Sequence, residues 1–406
     1  SSLSTTSCIK KVRVYLMRPH PLGTSALSTV PFEKKKRNPD RIPFLDTAKM
    51  MAIFAVCYAH ICGGDFSVTL IDYFSLGVFF IVAGMTLVPE RYENFGQFLW
   101  RKVKSYVIPI LCMDVITIII NVSFLLVKGQ MDQITITYFF DALVHMLCQY
   151  RYFALWVVTS IFFSVIFTYL LVKLSHKKWF LEVPLLALTL LITLLYNHYF
   201  KKVLYWNFDT VFLGTFLTYF GYLLYHRAEA MKSLCFEVRV QSLILGVIFL
   251  ALGLGVAYLT RVHFGRVFSF YAQDYGVYYL TIPAVLFASL GIIMIARGIS
   301  NPIMSNLGKA NICTLTLQQS LILPLMRNTF FPDWWHKILA ITPIDNIQRA
   351  LFGLTGASIA VLAGYILYLI LLISPLSFAI NKKPLPFYPW SKEYKEKHPK
   401  TVKGNE

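Results

Sequence analysis

Three ionisable residues, Asp46, Lys49 and His60, lie in one apolar stretch near the start of the chain. Charged groups inside a helix that crosses a membrane are costly and usually functional. Ten residues separate Lys49 from His60. Because successive residues of an α-helix are about 100° apart, these two side chains differ by about 20° around the axis and lie about 16 Å apart along it. Asp46 lies within about 40° of His60, so all three are predicted to share one face.

This face suits a long, thin anionic substrate whose charged head binds near Lys49 and whose reactive end lies near His60. Histidine titrates in the range in which a general base takes a proton from a hydroxyl group. A lone lysine in such a helix commonly extends to the membrane interface instead, and a lone histidine commonly packs there. Because both residues share a face with Asp46, we favour the functional interpretation.

The composition indicates that a single polytopic membrane domain positions these residues. The mean hydropathy is +0.60, and 57% of the residues are hydrophobic against 14% charged, which excludes an ordinary soluble domain. The net charge of +18 lies mostly in the tails and in alternate loops, which is the positive-inside pattern. We therefore expect a lipid bilayer, and not nucleic acid, as the partner. The scattered cysteines form no CxxC pair, so we expect neither a disulfide framework nor a metal site.

About ten apolar segments are long enough to span a bilayer. The sequence thus predicts an all-α polytopic integral membrane protein with both termini cytoplasmic, because an even number of spans places both tails on the side with basic loops. Residues 41–382 form the predicted membrane domain, between a basic, disordered cytoplasmic arm (1–40) and a basic cytoplasmic tail (383–406). Two half-apolar segments, 131–150 and 331–350, are expected along the outer interface. The predicted spans are 44–62, 68–88, 106–127, 152–173, 179–197, 206–225, 240–260, 276–297, 311–330 and 353–380.

Several motifs follow one another along residues 41–380. Leu45-Asp46-x-x-Lys49-x-x-Ala52, with His60, is followed by an FFxxSG-like element at 79–84 that has Ala83 in place of the usual serine. Basic residues at 98–104 then precede Pro109, and further matches lie at 152–156, 221–224 and 307–311. In this order and spacing the motifs resemble the acyltransferase 3 family of integral membrane O-acyltransferases. That family carries Arg or Lys, ten residues and then His in its first helix.

The resemblance implies transfer of an acyl group, commonly acetyl, from a cytoplasmic acyl-CoA co-substrate to a hydroxyl group. The implied acceptor is a cell-surface polysaccharide or its lipid-linked precursor, and the implied location is the cell membrane. Lys49 corresponds to the family's Arg or Lys and His60 to its catalytic histidine. A lysine at this position resembles the branch that acts on fucose-type sugars and surface antigens. Where the late helix of the family usually carries histidine, this chain has Gln318, which forms hydrogen bonds but takes no proton at neutral pH.

Further site residues complete this prediction. Asp46 and Asp72 are assigned to the catalytic site with His60. Asp72 enters the second span at the level expected for His60, where it either orients the imidazole or caps its helix. The predicted contacts to the phosphates of acyl-CoA are Lys49, Arg101 and Lys104. Arginine suits phosphate, and the alternative for the cluster at 101–104 is a plain topology anchor.

The residues predicted to bind the acceptor are Arg151, Trp156 and Gln318. Arg151 and Trp156 lie near the outer face, where aromatic rings stack on sugars, and the alternative for them is an aromatic belt. A different class of function, a transporter or flippase of lipid-linked sugars, explains the helix count and the buried charges equally well. It does not require a Lys-x10-His face or a cytoplasmic basic cluster ahead of Pro109.

Overall fold

The computed structural model describes residues 41–62, 70–149, 151, 155–200, 202–326 and 345–383. These residues form helices and their connections, without a β-strand, and one isolated bridge pairs Ser269 with Asp274. The predicted all-α class is confirmed. The predicted arm (1–40), the predicted tail beyond Lys383 and most of the predicted interfacial segment 331–350 lie outside the described residues, and the division into domains stays a prediction.

The α-helices of the described residues are numbered here in chain order. They are α1 (Pro43–Cys62), α2 (Ser75–Met85), α3 (Phe95–Lys102), α4 (Ile108–Val127), α5 (Ile136–Cys148), α6 (Trp156–Leu174), α7 (Trp179–Tyr199), α8 (Phe208–His226), α9 (Glu229–Phe236), α10 (Arg239–Phe264), α11 (Tyr278–Ile299), α12 (Pro302–Leu307), α13 (Asn311–Leu317) and α14 (Asp345–Ile373). Two π turns extend these helices: Val103–Val107 joins α3 to α4, and Gln318–Ile322 continues α13.

Seven helices of the described part are long and apolar enough to cross a membrane: α1, the continuous Phe95–Val127, α6, α7, α10, α11 and the 350–373 part of α14. In α1 and α11, 67% of the apolar window is buried, against only 17% in α7 and 22% in α10. The less buried helices expose large apolar side chains, for example Ile244, Val247 and Leu252 on α10. Apolar surface of this extent is typical of contact with lipid. The chain is therefore an all-α membrane protein in which α1 and α11 lie inside.

Each of the ten predicted spans overlaps a described helix, but some boundaries differ. The third begins at Phe95 and not at 106, because Asn94 caps α3 by accepting a hydrogen bond from the backbone N–H of Gln97 at 2.8 Å and the π turn then carries the helix past Lys104. The last predicted span divides at Ser374, which caps a separate 3₁₀ helix, Pro375–Ile380. The predicted interfacial segment 131–150 contains α5, an apolar helix shorter than the seven.

Glycines allow two central helices to touch backbone to backbone. A Cβ atom built on Gly84 of α2 would lie 1.8 Å from the carbonyl oxygen of Thr218 in α8. A Cβ atom on Gly221 of α8 would lie 2.2 Å from the carbonyl oxygen of Ile81 in α2. Small residues at such crossings are the usual means of close helix packing in membranes. Two of the sequence motifs, 79–84 and 221–224, therefore contribute the glycines of one helix crossing.

Glycines also pack closely against both ends of α1, one against backbone and one against a side chain. A Cβ atom on Gly308, in the turn between α12 and α13, would lie 1.9 Å from the carbonyl oxygen of Asp46. On α14, a Cβ atom at Gly356 would lie 2.7 Å from Cδ1 of Ile61. Both ends of α1 are thus fixed by glycine contacts to elements that are distant in sequence.

Substitution of Gly84 by alanine should destabilise the protein, because neither backbone at the crossing has room for the new methyl group. Overpacking of this kind costs about 1–3 kcal/mol or more. Gly255→Ala on α10 is the matched control, since its Cβ atom would meet nothing within 4 Å. Thermal unfolding of the detergent-solubilised chain should give a lower melting temperature for Gly84→Ala only. Equal melting temperatures for the two variants would contradict this packing.

Candidate functional site

The inner part of the predicted functional face is an ion pair at the start of α1. Lys49 Nζ lies 2.7 Å from Oδ1 of Asp46, with the Asp46 side chain 6% exposed and that of Lys49 29% exposed. Asp46 is one turn from Lys49 but roughly 21 Å along the helix axis from His60. The structure therefore places Asp46 beside Lys49, the predicted contact to the donor. It does not place Asp46 beside His60, although Asp46 was predicted to belong to the catalytic site with that residue.

At the other end of α1, His60 meets Gln318. Nδ1 of His60 lies 3.1 Å from Oε1 and 2.8 Å from Nε2 of Gln318. Gln318 is fully buried. Gln318 begins a π turn, a distortion that is frequent at functional sites. If Nδ1 carries the proton, it donates to Oε1 and leaves Nε2 of the ring unprotonated. In the other tautomer the amide donates to Nδ1.

A cavity of about 280 Å³ lies beside His60. Asp72 is part of its wall, so this carboxyl group and the imidazole share one space, while the catalytic role of Asp72 stays a prediction. The alternative role of Asp72 as a helix cap is not supported, because Phe74 is the residue that precedes α2 and no side chain caps that end. The polar and aromatic residues of the wall, besides His60, are Asp72, Ser75, Trp156, Ser269, Phe270 and Tyr271.

Arg151 supports this wall from behind. Its guanidinium forms an ion pair with Asp209, donates to the carbonyl oxygen of Tyr271 and is only 6% exposed as a side chain. Its Cζ atom lies 5.6 Å from the ring centroid of Trp156 and 5.3 Å from that of Tyr271. Asp209 also accepts a hydrogen bond from Gln273. Trp156 thus lines the cavity, and its contact with the acceptor stays a prediction. Arg151 orders the aromatic rings of the wall and, as a buried side chain, is neither an exposed sugar contact nor a belt residue.

The connection 265–277, between α10 and α11, supplies wall residues that were not predicted from the sequence. Phe268 and Phe270 are buried, and the Phe270 ring stacks on Phe80 of α2 with centroids 5.6 Å apart. These anchors hold Ser269, Phe270 and Tyr271 at the cavity. The available signal was a pair of phenylalanines two residues apart in a connection between spans, where polar residues are usual.

The predicted phosphate contacts at 101–104 have aromatic partners. The Arg101 guanidinium lies 5.6 Å from the ring centroid of Tyr92, and Lys104 Nζ lies 4.9 Å from that of the exposed Trp100. A lysine against an exposed tryptophan is typical of an anchor at the membrane interface. The described contacts do not join either residue to Lys49, so the donor-binding role of Arg101 and Lys104 stays a prediction.

Comparisons of the chain with family models, with curated proteins and with solved structures found no match. Within the described residues, no group of three or more His, Cys, Asp or Glu side chains is arranged to hold a metal ion.

The ion pair behind the wall yields a test of this arrangement. Asp209→Leu should lower the free energy of unfolding by about 3–5 kcal/mol, because it leaves the buried Arg151 guanidinium without its carboxylate. The double variant Arg151→Met with Asp209→Leu should be more stable than Asp209→Leu alone, since no buried charge remains. Thermal unfolding of the three proteins measures this, and a double variant that is less stable than Asp209→Leu would exclude the pairing.

Proposed function

We propose that this chain is an integral membrane O-acyltransferase that transfers an acetyl group from acetyl-CoA to a hydroxyl of a cell-surface polysaccharide or of its lipid-linked precursor. The observation that carries the proposal is the position of His60. This residue contacts Gln318 and shares a cavity with Asp72, on the same helix as Lys49. The resemblance of the motifs to the acyltransferase 3 family supports the same reaction.

In this proposal the membrane domain has ten spans, lies in the cell membrane and has both termini in the cytoplasm. The distribution of lysine and arginine among the loops supports that orientation. Lys49 then lies near the cytoplasmic surface, from which acetyl-CoA binds, and His60 lies about 16 Å deeper along α1. This separation suits the distance between the phosphates of acetyl-CoA and its thioester.

His60 acts as the general base. The acceptor hydroxyl oxygen attacks the carbonyl carbon of the thioester while the imidazole takes the hydroxyl proton, which gives a tetrahedral intermediate. When that intermediate collapses, the C–S bond breaks and the imidazolium returns its proton to the leaving thiolate. The products are the acetyl ester and CoA, and His60 ends in its starting form. Asp72, as a carboxylate in the same cavity, stabilises the imidazolium.

Gln318 orients the base in this proposal. A proton on Nδ1 of His60 is donated to Oε1 of Gln318, so Nε2 is the nitrogen that takes the hydroxyl proton. Because the amide is not titratable, it accepts from Nδ1 in both the neutral and the protonated state of the imidazole. A glutamine is thus sufficient where the family usually has a histidine, provided that the residue at this position orients the His60 imidazole and does not itself transfer a proton.

Substitutions of Asp46 and Lys49 test the binding of acetyl-CoA, because they should change its affinity in opposite directions. Lys49→Gln should weaken the binding of acetyl-CoA about tenfold, which is the value of one charge-assisted contact to phosphate. Asp46→Asn should instead strengthen it, because the variant keeps the shape of the side chain and removes the negative charge 2.7 Å from Lys49 Nζ. Calorimetry on the purified chain measures both affinities. If both variants bind acetyl-CoA like the unaltered chain, Lys49 does not contact the donor.

The base is tested by His60→Ala, with His263→Ala as the matched control because His263 is exposed and lines neither the His60 cavity nor the second cavity described below. Release of CoA thiol from acetyl-CoA and transfer to the acceptor should fall at least about 100-fold in His60→Ala, the usual contribution of a general base. Acetyl-CoA binding should be nearly unchanged, since the base acts mainly in the transition state.

Near-normal turnover of His60→Ala would refute the mechanism. Absence of any thiol release by the unaltered chain would favour the rival function, a flippase of lipid-linked sugars, which has no reason to cleave a thioester. Comparison by mass of surface glycans made with and without the chain identifies the acceptor.

A further inference from the structure

A second cavity, of about 420 Å³, lies where the ends of α7 and α10 meet the start of α11. It is more polar than the cavity at His60, and it brings together both signs of charge, an amide and aromatic rings. We call it the outer cleft. Its charged, polar and aromatic wall residues are Asn197, His198, Phe264, Arg266, Asp274 and Tyr278.

The polar groups of the outer cleft are held in place by hydrogen bonds to each other and to the backbone. Asp274 accepts a hydrogen bond from the backbone N–H of Gly276 at 3.0 Å through Oδ1. The hydroxyl of Tyr278 donates to Oδ1 of Asn197 at 2.6 Å, and Nδ2 of Asn197 donates to the carbonyl oxygen of Gln273 at 2.5 Å. The Asp274 carboxylate and the Tyr278 ring therefore have fixed positions, while Arg266 is exposed at the rim.

This combination fits a saccharide better than an ion or an apolar ligand. A carboxylate accepts hydrogen bonds from sugar hydroxyls, and a guanidinium donates to hydroxyl and ring oxygens. An aromatic ring packs against the C–H face of a pyranose. A simple anion would be repelled by Asp274, a simple cation by Arg266, and an apolar ligand would bury both charges without partners.

The outer cleft and the His60 cavity both use the connection 265–277, and one residue pair links their walls. Ser269 lines the His60 cavity and Asp274 lines the cleft. The two are bonded in both directions, from Ser269 N–H to the Asp274 carbonyl at 2.7 Å and from Asp274 N–H to the Ser269 carbonyl at 3.1 Å. Residues that exchange both bonds have Cα atoms about 5.5 Å apart, so the walls of the two cavities contact each other directly at this pair.

We propose that the outer cleft is a subsite for a saccharide unit of the acceptor, adjacent to the unit whose hydroxyl is acetylated at His60. This inference rests on the proposed function and narrows it, because an acceptor that occupies both cavities has at least two linked sugar units. The connection 265–277 then forms a wall of each site, and its buried phenylalanines keep the two sites at a constant spacing.

Saturation-transfer NMR on the full chain in detergent tests the subsite without reference to catalysis. The probes are methyl glycosides of the common hexoses, 6-deoxyhexoses and N-acetylhexosamines. We expect a saturation-transfer signal from at least one glycoside. Asp274→Asn and Arg266→Gln should each reduce this signal fivefold or more. Lys202→Gln is the matched control, because it also removes one positive charge from an exposed residue. Lys202 lies near the cleft, since its carbonyl oxygen accepts hydrogen bonds from Tyr196 and Gln273.

Two results would overturn the proposal: no glycoside receives saturation, or Arg266→Gln and Asp274→Asn bind glycosides as well as Lys202→Gln does. Both variants should fold, because Arg266 is exposed and Asp274→Asn keeps the backbone hydrogen bonds to Ser269. If one of them fails to fold, glycoside binding by the other still tests the proposal. Failure of the proposed reaction is distinct, since it would appear as no thiol release from acetyl-CoA while glycoside binding persists. His60→Ala should bind the glycosides normally, because the imidazole is not part of the outer cleft.

Discussion

A helix that carries an acid, a base and an imidazole cannot lie against lipid, and this constraint on α1 organises the rest of the chain. Asp46, Lys49 and His60 need protein or water around them, so other helices must enclose α1. The enclosing contacts are close: Gly308 packs on the Asp46 carbonyl and Gly356 packs on Ile61. The helices with exposed apolar faces, such as α7 and α10, are then left for the lipid. The layering of the bundle thus follows from the cost of exposing these three ionisable side chains to lipid.

Sequence periodicity was sufficient for the features that are local. The face shared by Lys49 and His60 depends only on helix geometry, and α1 is one unbroken helix, as predicted. The all-α class and the apolar spans also follow from local composition. Boundaries were less predictable where a cap or a π turn extended a helix, as at Asn94 and Val103–Val107.

The remaining parts of the site depend on tertiary contacts that no local pattern specifies. Arg151 was predicted to contact the acceptor near the outer face, but Asp209, fifty-eight positions later in the chain, pairs with it, and the Arg151 side chain is buried. Asn207 reinforces that region by donating to the Gln149 carbonyl at 2.7 Å, and Gln149 in turn donates to Asp114 at 2.5 Å. Chains of buried polar groups of this kind are rigid when satisfied. The wall of the cavity is therefore set by pairings that are visible only once the helices are assembled.

The π turn at Gln318–Ile322 has a consequence for how the chain tolerates changes in length. A π turn contains one residue more than the α-helical turn it replaces, so deletion of a single residue within it is expected to restore a regular helix. Because the turn absorbs that residue locally, the segments on either side keep nearly the same faces after the deletion, whereas a deletion in the regular part of α13 would rotate them by about 100° relative to each other. After a deletion between Thr314, which packs on Gly364 of α14, and Gln318, these two residues would no longer meet their partners together. The π turn is therefore the place where this helix best tolerates a change in length of one residue, whereas α13 must keep its length.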